Sequence, residues 1–176
     1  CGSAILAGAG YPGRALIVIA ILTVVCALVS VMRKGAAWIW EPLGIIYTSV
    51  PVVSLVILRS NAEFGLYAVA FVMIAIWVTD SAAFGAGRSI GGPKLWPSVS
   101  PNKTWAGLLG GMAGAAVVGA LMAIVFVGPN PGYLAVLAAC LAFISQGGDL
   151  AESALKRHFG VKDSGFLFPG HGGILD

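Results

Sequence analysis

Trp105-Ala-Gly107-Leu-Leu-Gly110-Gly111-Met-Ala-Gly114-Ala-Ala-Val-Val-Gly119-Ala-Leu-Met-Ala-Ile-Val125-Phe-Val127 contains no charged side chain. Wound as a helix, this stretch is long enough to cross the roughly 30 Å apolar core of a bilayer. Its small residues recur at four-residue spacing, which lets helix backbones approach closely. Such a stripe fits packing within a helical bundle or a contact between two copies in a homodimer.

The rest of the chain has the same character. Of 176 residues, 59% are hydrophobic and only 10% are charged, with a mean hydropathy of +0.95. Soluble domains carry about 25% charged residues, so a soluble fold would lack the charge to cover its surface. Hydropathy gives five spans: about Ala15 to Met32, Leu43 to Leu58, Phe64 to Phe84, Trp105 to Val127, and one from Tyr133 through Gln146 that emerges as a helix toward Lys156. Pro51 predicts a kink or tilt in the second. The three cysteines form no CxxC and read as small buried side chains.

Charge placement sets the orientation. One side of the spans receives Arg33, Lys34, Arg88, Lys94, Lys103, Lys156, Arg157 and Lys162; the other holds Arg14 and Arg59. The bias puts the basic side in the cytosol. Asp80, Asp149, Glu152, Asp163 and Asp176 fall on that side too, so the chemistry is expected on the cytosolic face.

Within the polar cluster, Ser145, Asp149, Glu152 and Lys156 share one helix face by their spacing. A carboxylate at the membrane boundary needs a cation, a metal or water. For Asp149 this means either Lys156 or Arg157 at the helix end, or a divalent metal with Asp163 and Asp176 nearby. Oxygen ligands of this kind suit Mg²⁺, which binds one or two carboxylates plus substrate phosphates. A second cation is a further expectation. Lys156, Arg157 and Lys162 read as topology anchors or as polyphosphate ligands. Gly172 and Gly173 let the backbone come close to a ligand, and His171 hydrogen-bonds, packs or takes part in catalysis. Asp80 is a functional candidate as an intramembrane acid, or a partner in a helix–helix salt bridge.

The stretch Gly85 to Trp105 reads as a loop of glycines, cations and hydroxyls. These are the ingredients of a phosphate cradle or of a surface that binds lipid head groups. It has no GxxxxGK[ST]. The chain shows no convincing Ser-His-Asp order, HExxH or cysteine nucleophile. A substrate phosphate that brings its own anionic nucleophile fits that absence, since it needs positioning and neutralisation more than a general base.

Ser153, Lys156, Arg157, Lys162, Asp163, Gly165, Pro169, Gly170, His171, Gly172, Gly173 and Asp176 stand at the spacing S-x-x-K-R, four residues, K-D-x-G, then P-G-H-G-G-x-x-D. In this the chain resembles the phosphatidate cytidylyltransferases, or CDP-diacylglycerol synthases. Gln146-Gly-Gly-Asp149-Leu-Ala-Glu152, Ser100-Pro-Asn-Lys-Thr104, Trp77-Val-Thr-Asp80 and Gly87-Arg88 agree with it. The likeness covers about Trp77 to Asp176. The family pattern continues beyond that aspartate with an arginine, another aspartate and a final span.

The resemblance implies an Mg²⁺-dependent transfer of CMP from CTP to phosphatidic acid, releasing pyrophosphate, by a multi-span helical membrane enzyme. It implies Asp149 and Asp176 as catalytic metal ligands and Lys156, Arg157 and Lys162 on the CTP phosphates. Lys103 and Arg88 are further phosphate candidates, Asp163 fixes its loop, and Glu152 and Asp80 stand as additional candidates. Two alternatives remain at this point: a CTP-dependent polyprenol or dolichol kinase, and an ion-coupled transporter. A CDP-alcohol phosphotransferase is disfavoured because the chain has no DGxxAR…GxxxDxxxD run.

The expected fold is therefore an all-α, polytopic membrane helical bundle with about five spans and a cytosolic-face active site. It is expected as one integral membrane domain over residues 1–176, the C-terminal catalytic portion of a longer protein lacking its final span. The expected partners are CTP, phosphatidic acid and the lipid bilayer, with no nucleic acid. The expected location is the inner or plasma membrane of a bacterium.

Overall fold

The computed structural model of the chain describes residues 12–32, 40–126 and 130–161. The described residues form five helices and one short hairpin: α1 (Pro12–Met32), α2 (Trp40–Arg59), α3 (Gly65–Ser89), β1 (Lys94–Trp96), β2 (Ser100–Thr104), α4 (Trp105–Val125) and α5 (Pro131–His158). The fold is all-α apart from that hairpin. Helices α2 to α5 are each long and apolar enough to cross a membrane, and α1 is apolar from Leu16 to Met32. The order of the five apolar spans matches hydropathy. Two compact units divide between Ala70 and Phe71.

In the first unit, α1 and α2 meet around Ile19 and Val53, both buried, with Val56 beside them. Thr23 and Ser30 turn their hydroxyls back onto the carbonyls of Ile19 and Cys26, each at 2.8 Å. Hydroxyls satisfied within their own helix suit an apolar surrounding. Ser30 also donates to the carboxylate of Glu41 at the start of α2. The helix α2 runs through Pro51 as one element. Asn61 then closes the turn into α3, its side-chain oxygen accepting from the backbone N–H groups of Glu63 (3.1 Å) and Phe64 (2.8 Å).

The second unit is organised on α4. Apart from Leu108, the buried residues of α4 are small: Gly107, Gly111, Ala115, Gly119 and Ala123 are buried, whereas Leu109, Val117, Leu121 and Ile124 are exposed. A soluble helix sorts the other way. Lipid solvates the large apolar side chains as well as a protein core does, so association relies on close backbone contact. The four-residue spacing serves this twice. A Cβ on Gly114 would come within 2.7 Å of Ala82 Cβ on α3, and one on Gly119 within 2.8 Å of Ala138 Cβ on α5. The stripe is thus packed within the chain. Phe71, Ala75, Ala115, Ala138 and Ala142 form the core between these three helices.

Two features differ from the hydropathy reading. Helix α3 does not stop at Phe84 but continues through Gly85, Gly87 and Arg88 to Ser89. Gly87 is tolerated there because it lies against the start of α4, where a Cβ would meet Thr104 Oγ1 at 3.1 Å. Arg88 in the last turn complements the helix dipole. Gly91 and Gly92, at φ 65° and 92°, then reverse the chain through backbone angles that side chains disfavour.

The second difference is the hairpin itself. Part of the expected loop pairs as antiparallel strands, Lys94 opposite Thr104 and Trp96 opposite Ser100, with an irregularity between. Thr104 ends β2 and caps α4, its hydroxyl accepting from Gly107 N–H at 3.1 Å. The hairpin is thereby fixed to the helix that follows it. At the far end, Asn130 caps α5 and Pro131 opens it, where the absent N–H of proline is not missed. Lys156, Arg157 and His158 close its last turn, again the favourable sign for the dipole.

Candidate active site

A cavity of about 610 Å³ lies where the C-terminal part of α3, the hairpin and α5 come together. From α3 it is lined by Asp80 and Arg88, from the hairpin by Lys94, Asn102 and Lys103, and from α5 by Gln146 and Asp149. The polar groups of three separate stretches of sequence thus share one space.

Its centre is an ion pair between the Lys103 ammonium and the Asp149 carboxylate. The same ammonium donates to the main-chain carbonyl of Gln146 at 3.4 Å. Lys103 is mostly covered, with 21% of its side chain exposed, whereas Asp149 is 61% exposed. The carboxylate therefore keeps an open side toward the cavity while the lysine is held behind it. Asp80 interacts electrostatically with both Asp149 and Lys103. Two carboxyl groups thus share the space with one held ammonium. Arg88 and Lys94 bring two further cations to the wall.

For Asp149 the sequence allows a cation partner at the helix end or a metal, and the structure bears on the first of these. Of the cations named for it, neither Lys156 nor Arg157 is its partner in this structure; Lys103 is. Lys156 instead pairs with Glu152 at 3.1 Å, one turn earlier on α5. Arg157 Nη1 donates to the carbonyl of Val161 at 3.4 Å. Glu152, Lys156 and Arg157 stand one and two turns beyond Asp149 and do not line the cavity. Lys162, Asp163, His171, Gly172, Gly173 and Asp176 lie outside the described residues. Arg88 and Lys103, singled out as phosphate ligands, do reach the cavity, as does Asp80.

Among the described residues no group of three histidine, cysteine or acidic side chains gathers as a metal cage. Asp80 and Asp149 nonetheless offer carboxylate oxygens to one space, with the amide of Asn102 on its wall. Hard oxygen donors in that number suit Mg²⁺, which completes its shell with water and substrate phosphate.

Three wall residues carry little signal in the sequence. Lys94 and Asn102 stand in the stretch that reads as a phosphate cradle, but nothing in the sequence singles them out within it; the hairpin folds them onto the cavity wall. Gln146 is the one amide in the apolar run from Tyr133 to Gly147 and heads the family-like stretch to Glu152, but neither feature marks it as a site residue. It is buried, at 7% exposure. Its Nε2 atom is enclosed and makes no hydrogen bond to the described residues, an arrangement that costs about 1–3 kcal/mol.

Residues 5–176 match the cytidylyltransferase family. The phosphatidate cytidylyltransferase of Brucella suis is 45% identical over 162 residues, covering 92% of this chain and 60% of that protein. That of Bacillus subtilis is 47% identical over 120 residues, 68% of this chain and 45% of that protein. That of Staphylococcus aureus is 44% identical over 113 residues, 64% of this chain and 44% of that protein. The aligned part of this chain thus spans 60% or less of the length of each of these relatives.

Proposed function

The chain belongs to the cytidylyltransferase family, and from that premise we propose that it transfers CMP from CTP to phosphatidic acid, giving CDP-diacylglycerol and pyrophosphate. The observation that carries the proposal is the cavity. It joins two carboxylates and three cations at one end of apolar helices, where a soluble triphosphate and a membrane lipid phosphate can meet. The relatives named phosphatidate cytidylyltransferase support the same reading.

In this reaction a phosphate oxygen of phosphatidic acid forms a bond to the α-phosphorus of CTP. The bond from that phosphorus to the bridging oxygen breaks, and pyrophosphate leaves with the electron pair. The nucleophile is already an anion, so no side chain has to remove a proton. What the reaction needs is close approach of two anions and dispersal of charge on the departing group. Lys103, held behind Asp149, supplies a fixed positive charge. Arg88 and Lys94 on the wall neutralise the triphosphate. Phe84, exposed on α3 and also on the cavity wall, offers the diacylglycerol chains an apolar edge.

Asp149 and Asp80, together with Asp176, are the residues we assign to Mg²⁺, with room for a second cation. Bound there, the ion supplies Lewis-acid polarisation of the phosphoryl group and neutralises phosphate charge. On the family motif we also assign Lys156, Arg157 and Lys162 to the CTP phosphates, Asp163 to fixing its loop, and His171, Gly172 and Gly173 to substrate binding. The positive-inside bias supports a cavity facing the cytosol from a bacterial inner membrane. A homodimer would have to use a surface other than the small-residue stripe of α4, which is packed within the chain.

The test is product analysis with the full-length protein in detergent. Labelled CTP and phosphatidic acid are expected to yield pyrophosphate and a CDP-lipid. Release of CDP with a newly phosphorylated lipid would assign the chain to the lipid kinases instead.

A further inference from the structure

Gln146 stands on α5 one turn before Asp149, and its own main-chain carbonyl accepts from the Lys103 ammonium. Its side chain serves a different contact. It reaches α4 at Gly111, where a Cβ would lie only 2.5 Å from Nε2. Helix α3 meets the same glycine from another direction. That Cβ would lie 3.0 Å from the carbonyl oxygen of Thr79, the residue before Asp80, and 3.2 Å from Ala83 Cβ. The helices that carry Asp80 and Asp149 therefore both close on one residue without a side chain.

Packing alone does not explain a glutamine in that gap. Methionine has the same length and fills the same space without burying an unpaired donor. Methionine also adopts many rotamers and specifies a junction poorly. A buried amide does the opposite: it lowers stability and selects one register, as a single polar residue does in a coiled-coil seam. Thr79, fully buried beside it, has its hydroxyl committed to the Ala75 carbonyl at 2.7 Å, so the rest of the junction is already fixed.

We infer that Gln146 is a positioning residue, whose amide wedged against Gly111 sets where Asp149 and Lys103 stand relative to Asp80. The role rests on the reading that these three groups serve the transfer reaction. A misplacement of about 1 Å at such a site is enough for a loss on the order of 100-fold.

The test uses Gln146→Met in the full-length protein in detergent. Expected are a thermal midpoint equal to or above wild type and a kcat lower by roughly tenfold or more. Gly111→Ala, which displaces the amide, is expected to lower kcat, and to lower it less in a Gln146→Ala background, where only the contacts at 3.0 and 3.2 Å to α3 remain. A second readout does not need activity. With every native cysteine replaced, an Asp80→Cys/Asp149→Cys pair is bridged by a short bifunctional thiol reagent. The yield is expected to fall several-fold when Gln146→Met is added. Unchanged kcat and unchanged bridging overturn the inference. So does a kcat loss that merely follows a fall in thermal midpoint. Absence of pyrophosphate release from the wild type would instead sink the proposed reaction, and the bridging yield would still decide the positioning.

Discussion

Lys103, at the end of the short strand β2, and Asp149, deep in the sequence of α5, meet as an ion pair over the cavity floor. The lysine is largely covered and the carboxylate largely open. A surface pair of this kind contributes little to stability, about 0–1 kcal/mol. Its significance is geometric: it ties the hairpin to α5 and turns one side of Asp149 toward the space that Asp80 also lines.

Asp149→Asn keeps the shape of the side chain and removes its charge. Pyrophosphate release in the full-length protein is expected to fall on the order of 100-fold or more. Lys103→Met is expected to raise the KM for CTP and to lower kcat on the order of tenfold or more. The double variant should lose about as much as the worse single one, because the two groups act as a unit. Additive losses would show that they act separately.

Chelation gives an independent check on the assigned ion. EDTA in excess is expected to abolish pyrophosphate release, and Mg²⁺ to restore it. Ca²⁺, larger and less strict in geometry, should restore it poorly. Activity that persists after exhaustive chelation would count against Asp80 and Asp149 as metal ligands.

The packing of α4 predicts a sharp contrast between glycines. Gly119 faces the carbonyl of Leu134 and Ala138, so Gly119→Leu should overpack the α4–α5 contact and destabilise by about 1–3 kcal/mol. A Cβ on Gly147 meets nothing within 4 Å, so Gly147→Ala within α5 should be neutral or stabilising by about 0.5–1 kcal/mol. Thermal midpoints in detergent separate the two. Equal effects would mean that the stripe is not the contact.

Thr104 links the hairpin to the first turn of α4. Thr104→Ala removes the cap and is expected to destabilise by about 1 kcal/mol, whereas Thr104→Ser should retain most of the wild-type midpoint. Because Lys103 precedes the cap directly, Thr104→Ala should also raise the KM for CTP; an unchanged KM would show that the hairpin holds Lys103 without it.

Much of the fold was legible in the sequence. Apolar runs of bilayer length must be helical, because lipid offers no partner to an exposed backbone N–H or C=O. That reasoning is local, so it located five helices from composition alone. It was blind to the end of α3 and to the hairpin. Gly85, Gly87 and Gly91 look alike as letters, yet Gly87 stays helical through its contact with α4 while Gly91 turns the chain at φ 65°. A three-residue strand paired to a five-residue strand holding Pro101 leaves no periodicity to read.

The site divides in the same way. Asp80, Arg88, Lys103 and Asp149 stood out because charge beside a membrane is costly and seldom idle. Which of them meet was not readable, because spacing along one helix favours neighbours at three and four residues. By that rule Lys156 belongs with Glu152, four residues before it, and the fold keeps that pair; Asp149 has no cation three or four residues away on its helix, and its partner, Lys103, comes from the hairpin. By itself, then, the sequence determined a helical membrane protein with its polar chemistry gathered at one end of the spans, since hydropathy and charge act residue by residue. Only the tertiary structure decided that Lys103 holds Asp149 and that Gln146 lies on Gly111. Those contacts join residues far apart in the chain, and they exist only once α3, α4 and α5 have closed on the glycines between them.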